Sequence, residues 1–184
     1  ILGRLVGSEM CIRDRHYAAR HPKGISKLIL SSTAAQFRLD ETVKMMRKLG
    51  GPRAADVAHE FFSNPSKAAY ETYGEVCLPL YSNPNLPAAG TFRDRAIERP
   101  EVAFHFFSDE MATMDMRAEI ANITCPTLVI GGDIDPVTPP ICSEAIADAI
   151  GDNARLQMLE GCGHGPHRDD PKGAEKIMRH FLAD

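Results

Sequence analysis

Two short loops hold the residues best suited to proton-transfer chemistry. Gly131–Pro139 reads G-G-D-I-D-P-V-T-P and offers two carboxylates, Asp133 and Asp135. Gly161–Pro171 reads G-C-G-H-G-P-H-R-D-D-P and sets His164 between two glycines, with His167 three residues on. An imidazole titrates near neutral pH and can take a proton from an attacking hydroxyl, while a carboxylate behind it fixes the tautomer and stabilises the imidazolium. Either aspartate could instead cap the helix that opens near Pro139. Cys162, His164 and His167 lie close in sequence but lack a fourth ligand at a zinc-site spacing, so no metal is expected. His16, His21, His59, His105 and His180 carry no partner signature and read as surface or packing residues.

The elements that must position these loops are legible on either side of them. Thr127–Ile130 (T-L-V-I) is a buried parallel strand ending in Gly131-Gly132, and Arg155–Leu159 (R-L-Q-M-L) alternates as a strand does. Each loop therefore leaves the carboxyl end of a strand, where open parallel sheets gather their functional groups. Pro139 and Pro140 open a helix to about Ile150, and Ala174, Ile177, Met178, Phe181 and Leu182 form the apolar stripe of a last helix. Upstream, Y-A-A-R-H-P reads as a helix end stopped by Pro22, followed by a short turn and the apolar strand Lys27–Leu30. Helix, tight loop and strand in this rhythm predict an α/β fold with about three parallel strands.

Residues 36–120 break that rhythm. Val43, Met46 and Leu49 recur at helical spacing, Gly50-Gly51-Pro52 and several N-P and L-P pairs cut the run, and aromatics gather (Phe61, Phe62, Tyr70, Tyr73, Tyr81, Phe92, Phe104, Phe106, Phe107). Either the core of a small helical domain or the inner surface of a substrate-facing lid fits this pattern.

The two loops in this order resemble the α/β-hydrolase family, whose chain order is nucleophile, acid, histidine. The resemblance covers His16–Asp184. Y-A-A-R-H-P and K-L-I-L-S-S look like the helix after the nucleophile and the sixth strand, C-P-T-L-V-I-G-G-D-I-D-P-V-T-P like the seventh strand and acid loop, and G-C-G-H-G like the histidine loop. The resemblance implies Asp135 as the acid and His164 as the general base. G-C-G-H-G followed by R-D-D-P is most similar to prolyl iminopeptidase-like serine hydrolases. Those carry a helical cap after the sixth strand and hold a substrate's amino group on acidic cap residues, for which Glu71, Glu75, Asp109 and Glu110 are the candidates here.

The implied fold is thus the C-terminal part of an α/β-hydrolase sheet, with residues 16–35 and 121–184 as a partial core and 36–120 as the cap. The nucleophile is the missing part. No G-x-S-x-G occurs, and family spacing back from Tyr17 falls on Ser8 in V-G-S-E-M, with Val6 and Met10 where the elbow glycines belong. Leu5–Arg15 looks like a translated sequencing-adapter string, so residues 1–15 are expected to be foreign to the natural protein, which is expected to begin further upstream. The parent is expected to cleave a small peptide, amide or ester through an acyl-enzyme, and the chain as written to be inactive. An epoxide or haloalkane hydrolase with an aspartate nucleophile, or a non-catalytic small-ligand binder, are the alternatives on the same fold.

The totals agree with a globular protein of this kind: 184 residues, 43% hydrophobic, 25% charged. A net charge of −4 supplies no basic field for nucleic acid or anionic membrane, and no apolar run nears the roughly 20 residues of a bilayer span. Small molecules or short peptides are the expected partners, with no cofactor. Five cysteines at irregular spacing, without a C-x-x-C pair, suit reduced thiols in a cytoplasmic protein, and the charged N-terminus does not read as a signal peptide.

Overall fold

The computed structural model describes residues 8–83 and 104–183. Helix α1 (Ser8–Arg20) is followed by β1 (Leu28–Ser31). After a long helical segment come β2 (Thr127–Gly132), a helix, and β3 (Ala154–Leu159). The three strands are parallel in the order β1-β2-β3, with Leu28 opposite Thr127 and Thr127 opposite Ala154. The middle strand is buried at all six positions and continues through Gly131 and Gly132, which pair with Met158 and Leu159, so it runs two residues beyond its apolar run.

Pleating sends alternate residues of β2 to opposite faces. Val129, with Leu30 of the neighbouring strand, packs among Ala18, Ile120, Ile146 and Ile150. These come from α1, from α4 (Arg117–Ile120) and from α5 (Pro140–Ile150). Leu128 and Ile130 face the other way, onto Ala174 and Phe181 of the final helix α7 (Pro171–Ala183), which follows the short α6 (Pro166–Asp169). The sheet is therefore covered on both sides, as all-parallel sheets must be. Lys27 Nζ donates to the carbonyls of Phe181 and Leu182, placing a cation at the negative end of α7.

Helix α1 is fixed by its polar side as well. Glu119 accepts from His16 Nδ1 at 2.9 Å and Arg20 Nε at 3.0 Å, and these partners hold its carboxyl below the usual range. Arg15 is fully buried and donates to Ala34 O and to Thr33 Oγ1, at the carboxyl end of β1.

The segment between β1 and β2 is helical, as its spacing predicts. Two arms of α2 (Leu39–Ser63) meet at Gly51, whose φ of 76° lies in the left-handed region, directly before Pro52. Helix α3 (Lys67–Val76) is capped by Ser66 Oγ accepting from Ala69 N, and a 3-10 turn, Leu78–Tyr81, follows. A π-helical turn, Phe106–Glu110, leads into Met111–Thr113. Gln36 and Asp115 pair in an antiparallel bridge that brings the two ends of the segment together. Its aromatics form its own core: Phe61, Phe62 and Tyr73 are buried, with ring centroids 4.6 Å apart for Phe61–Tyr73 and 5.1 Å for Phe61–Phe107. Of the two readings of this cluster, packing accounts for these three rings. Phe92 lies outside the described residues.

Candidate active site

The acid loop leaves β2 through a tight turn in which Asp135 N donates to Gly132 O. Gly132 touches the histidine loop backbone so closely that a Cβ there would lie 2.1 Å from Cys162 O and 2.4 Å from Gly163 O. Two strand ends can approach this far only where one residue lacks a side chain. Beyond the turn, Asp135 is 0% exposed. Its Oδ1 accepts from Val137 N at 2.8 Å and Thr138 N at 2.9 Å, and its Oδ2 from Thr138 Oγ1 at 2.7 Å. A buried carboxylate is tolerated only when its oxygens are matched by donors, and this one recruits three from its own loop. Thr42 of α2 supports the same loop from outside, donating to Val137 O.

The fourth donor is the histidine. His164 Nδ1 lies 2.9 Å from Asp135 Oδ2 and 3.2 Å from Oδ1, with the imidazole side chain 15% exposed. Asp133 makes no such pair; its Oδ1 is buried without a partner among the described residues. Helix α5 starts on Pro139 with no side-chain cap, so Asp135 is committed to its loop and to His164 and caps no helix.

Distant residues build the histidine loop. Gly161 turns it with φ 67°. Asp169 Oδ2 accepts from Gly163 N at 2.7 Å and also from Asn83 N at 3.1 Å, while Asn83 Nδ2 donates to Gly161 O. His164 N donates to Tyr81 O at 2.7 Å, and a Cβ on Gly163 would lie 2.3 Å from that same carbonyl oxygen. The Tyr81 and His164 rings meet nearly at right angles, with centroids 5.3 Å apart. Tyr81 also shares a 2.8 Å hydroxyl contact with Tyr73, whose ionisation burial pushes well above its ordinary value, with Tyr81 and Asp135 adding to the effect.

Cysteine nucleophiles find no support nearby. Burial raises Cys142 to about 12 and both Cys77 and Cys162 to about 11, far from the depressed values of reactive thiols. His167, on α6, is pushed down by burial and by Arg168. Among the described residues no three His, Cys, Asp or Glu side chains gather as a metal site, and no helix is long and apolar enough to cross a membrane.

Of the remaining sequence candidates, Ser8 is the first residue of α1, with its side chain outside the described residues. The Asp109 side chain also lies outside them. Glu71 is exposed and 3.9 Å from Lys67, Glu110 is exposed and 3.9 Å from His105, and Glu75 faces solvent. The sequence reading missed Thr138, Asp169, Asn83 and Tyr81. Thr138, three residues after Asp135, and Asp169, five after His164 in R-D-D-P, left a local signal; Tyr81 and Asn83 come from elsewhere in the chain.

A parallel sheet with an acid loop and a histidine loop at adjacent strand ends defines an α/β-hydrolase. The chain belongs to the family described as Serine aminopeptidase, S33, whose model matches residues 12–171. It is 27% identical over 172 residues to a monoacylglycerol lipase of Xenopus laevis, a match covering 91% of this chain and 50% of the lipase. A proline iminopeptidase of Pestalotiopsis fici is 25% identical over 176 residues, covering 91% of this chain and 62% of that protein. The chain thus spans half to under two thirds of these relatives. The crystal structure of a Mycobacterium smegmatis proline iminopeptidase superposes with a TM-score of 0.70 at 19% identity, covering 94% of this chain and 62% of that one.

Proposed function

We propose that this chain carries the acid and base of a serine hydrolase, with His164 as general base and Asp135 as its orienting acid. The observation that supports this most directly is the 2.9 Å contact between His164 Nδ1 and a carboxylate that is 0% exposed. With Nδ1–H donating to Asp135, Nε2 is left to accept the proton of an attacking hydroxyl and later to return it to the leaving group. The relatives are named for acting on an acylglycerol and an N-terminal proline, ester and amide chemistry respectively. Their shared element is attack on an acyl carbonyl, so the substrate proposed is a small ester, amide or peptide cleaved through an acyl-enzyme.

In this reading residues 36–120 are the cap over the site. Prolyl iminopeptidase-like recognition of a free amino group would need an acidic cap residue turned inward; Glu71 is exposed beside Lys67 and Glu110 is exposed beside the His105 ring, which favours the broader substrate class. The buried free thiols Cys77, Cys125, Cys142 and Cys162 suit a cytoplasmic setting. The chain as written is proposed to be inactive, since Val6 and Met10 occupy the elbow's glycine positions. Residues 1–15 are proposed to be foreign, but the burial of Arg15 and its bond to Ala34 O just past β1 argue for a boundary upstream of it.

The test begins with genomic sequence upstream of the His16 codon. A continuous frame supplying about 100 further residues and a G-x-S-x-G before Tyr17 is expected. In that full-length protein His164→Ala should cut kcat for an activated ester by about 10⁴-fold. Undiminished turnover would sink the assignment. A ligand-binding relative would instead keep its affinity and have no turnover to lose. For the chain as written, stoichiometric labelling of Ser8 by a fluorophosphonate would overturn inactivity.

A further inference from the structure

We infer that Tyr81, on the cap, is a positioning residue for His164: its ring and the Tyr73–Tyr81 hydroxyl contact hold the imidazole plane against Asp135. The inference rests on the catalytic reading of the dyad and extends it to the cap. Asp135 holds one atom of the imidazole, Nδ1, with both its oxygens, and contacts gathered at a single atom leave the ring free to tilt about it. Two further constraints come from one residue. Tyr81 O takes the backbone N–H of His164 at 2.7 Å, and the Tyr81 ring stands at 76° to the imidazole, 5.3 Å between centroids. Perpendicular aromatic contact at this distance is attractive and directional.

Tyr81 is itself fixed. Its hydroxyl lies 2.8 Å from that of Tyr73, which is 3% exposed and whose ring centroid lies 4.6 Å from that of Phe61 in the cap core. A continuous line of contacts therefore runs from the cap core through Tyr73 and Tyr81 to His164 and Asp135. The backbone of Gly163 completes the seat, since any side chain there would meet Tyr81 O. The direction in which Nε2 points is thus set by the cap as much as by the sheet.

The imidazole Nδ1–H proton reports this geometry without any turnover. In the 184-residue chain labelled with ¹⁵N-histidine, a downfield Nδ1–H resonance is expected, and Asp135→Asn should abolish it, which assigns it. Tyr81→Leu should speed its exchange with water by about tenfold, the signature of more frequent local opening. Tyr81→Phe and Tyr73→Phe each break the same hydroxyl contact and should each give a smaller acceleration. Phe37→Leu, a cut at the far side of the same aromatic cluster where Phe37 packs on Phe62, should leave the proton unchanged, which separates positioning from general loosening. An exchange rate in Tyr81→Leu equal to the parent's overturns the inference. If Tyr81→Leu does not fold, the absence of acceleration in both Phe variants overturns it instead. Failure of Asp135→Asn to remove the resonance would count against the dyad itself, a result distinguishable from failure at Tyr81.

Discussion

The acid loop and the histidine loop sit side by side yet are held in opposite ways. Asp135 takes three of its four donors from residues two and three positions ahead of it. The histidine loop is tied once within itself, by Asp169, and otherwise takes its support from Tyr81 and Asn83, roughly 80 residues upstream, on the far side of β2. The carboxylate turn closes mainly on its own neighbours, with Thr42 of α2 adding one donor from outside. A loop held by remote groups takes its shape only once the helical segment has docked. The acid is thus a fixed post, and the base is placed by the rest of the fold.

Four experiments can break or sharpen this contrast. The largest effect belongs to the point where the loops touch. Gly132→Ala sets a Cβ 2.1 Å from Cys162 O, and a backbone atom cannot move aside. A loss of about 4 kcal/mol or outright unfolding is expected in urea melts. Next, Asp169→Ala leaves the N–H groups of Gly163 and Asn83 without their acceptor and should cost about 3 kcal/mol. It should also open the histidine loop selectively: Cys162 should label about tenfold faster with a thiol reagent while Cys142, on α5 behind the acid loop, keeps its rate. Equal acceleration at both cysteines would mean the loops open together and erase the contrast.

Thr138→Val removes one of the four donors to the Asp135 carboxylate, the hydroxyl on Oδ2, and should cost about 2 kcal/mol. A penalty exceeding that of Asp169→Ala would make the acid loop the more dependent of the two. The smallest effect is in pH. Burial raises Cys142 from 9.0 to about 12 and Cys162 from 9.0 to about 11, so the unfolded chain loses these protons first. Their contribution to stability is full below pH 9 and declines as pH rises toward 11 and 12. Urea midpoints at pH 8 and pH 10 should fall in that order, and a Cys142→Ala variant should show a shallower fall.

How much of this could be read from the sequence follows the same division. T-L-V-I before G-G-D, and R-L-Q-M-L before G-C-G-H, placed both strands and the pair at their ends, because strand pattern and turn glycines are local signals. The breaker at Gly50-Gly51-Pro52 likewise appears as the left-handed Gly51 inside α2. Tyr81 and Asn83 were not legible as parts of the histidine loop, since nothing in L-P-L-Y-S-N says which distant backbone it will meet. The aromatics were legible as a cluster but not in their role. Periodicity tells that a face is apolar, and it does not tell whether that face meets its own helices or a ligand.

The Gln36–Asp115 bridge bears on how such a chain can reach its fold at all. Strand β1 must find a parallel partner about 100 residues away, and contacts of that range are slow to form. If the intervening helices assemble first on their own aromatic core, the bridge ties off their two ends and the strands meet across a far shorter effective tether. The helical segment would then be the early unit of folding and the sheet the late one. A chain of this topology could have its middle exchanged for another compact unit of matching ends, and the strand pairing beneath would survive the exchange.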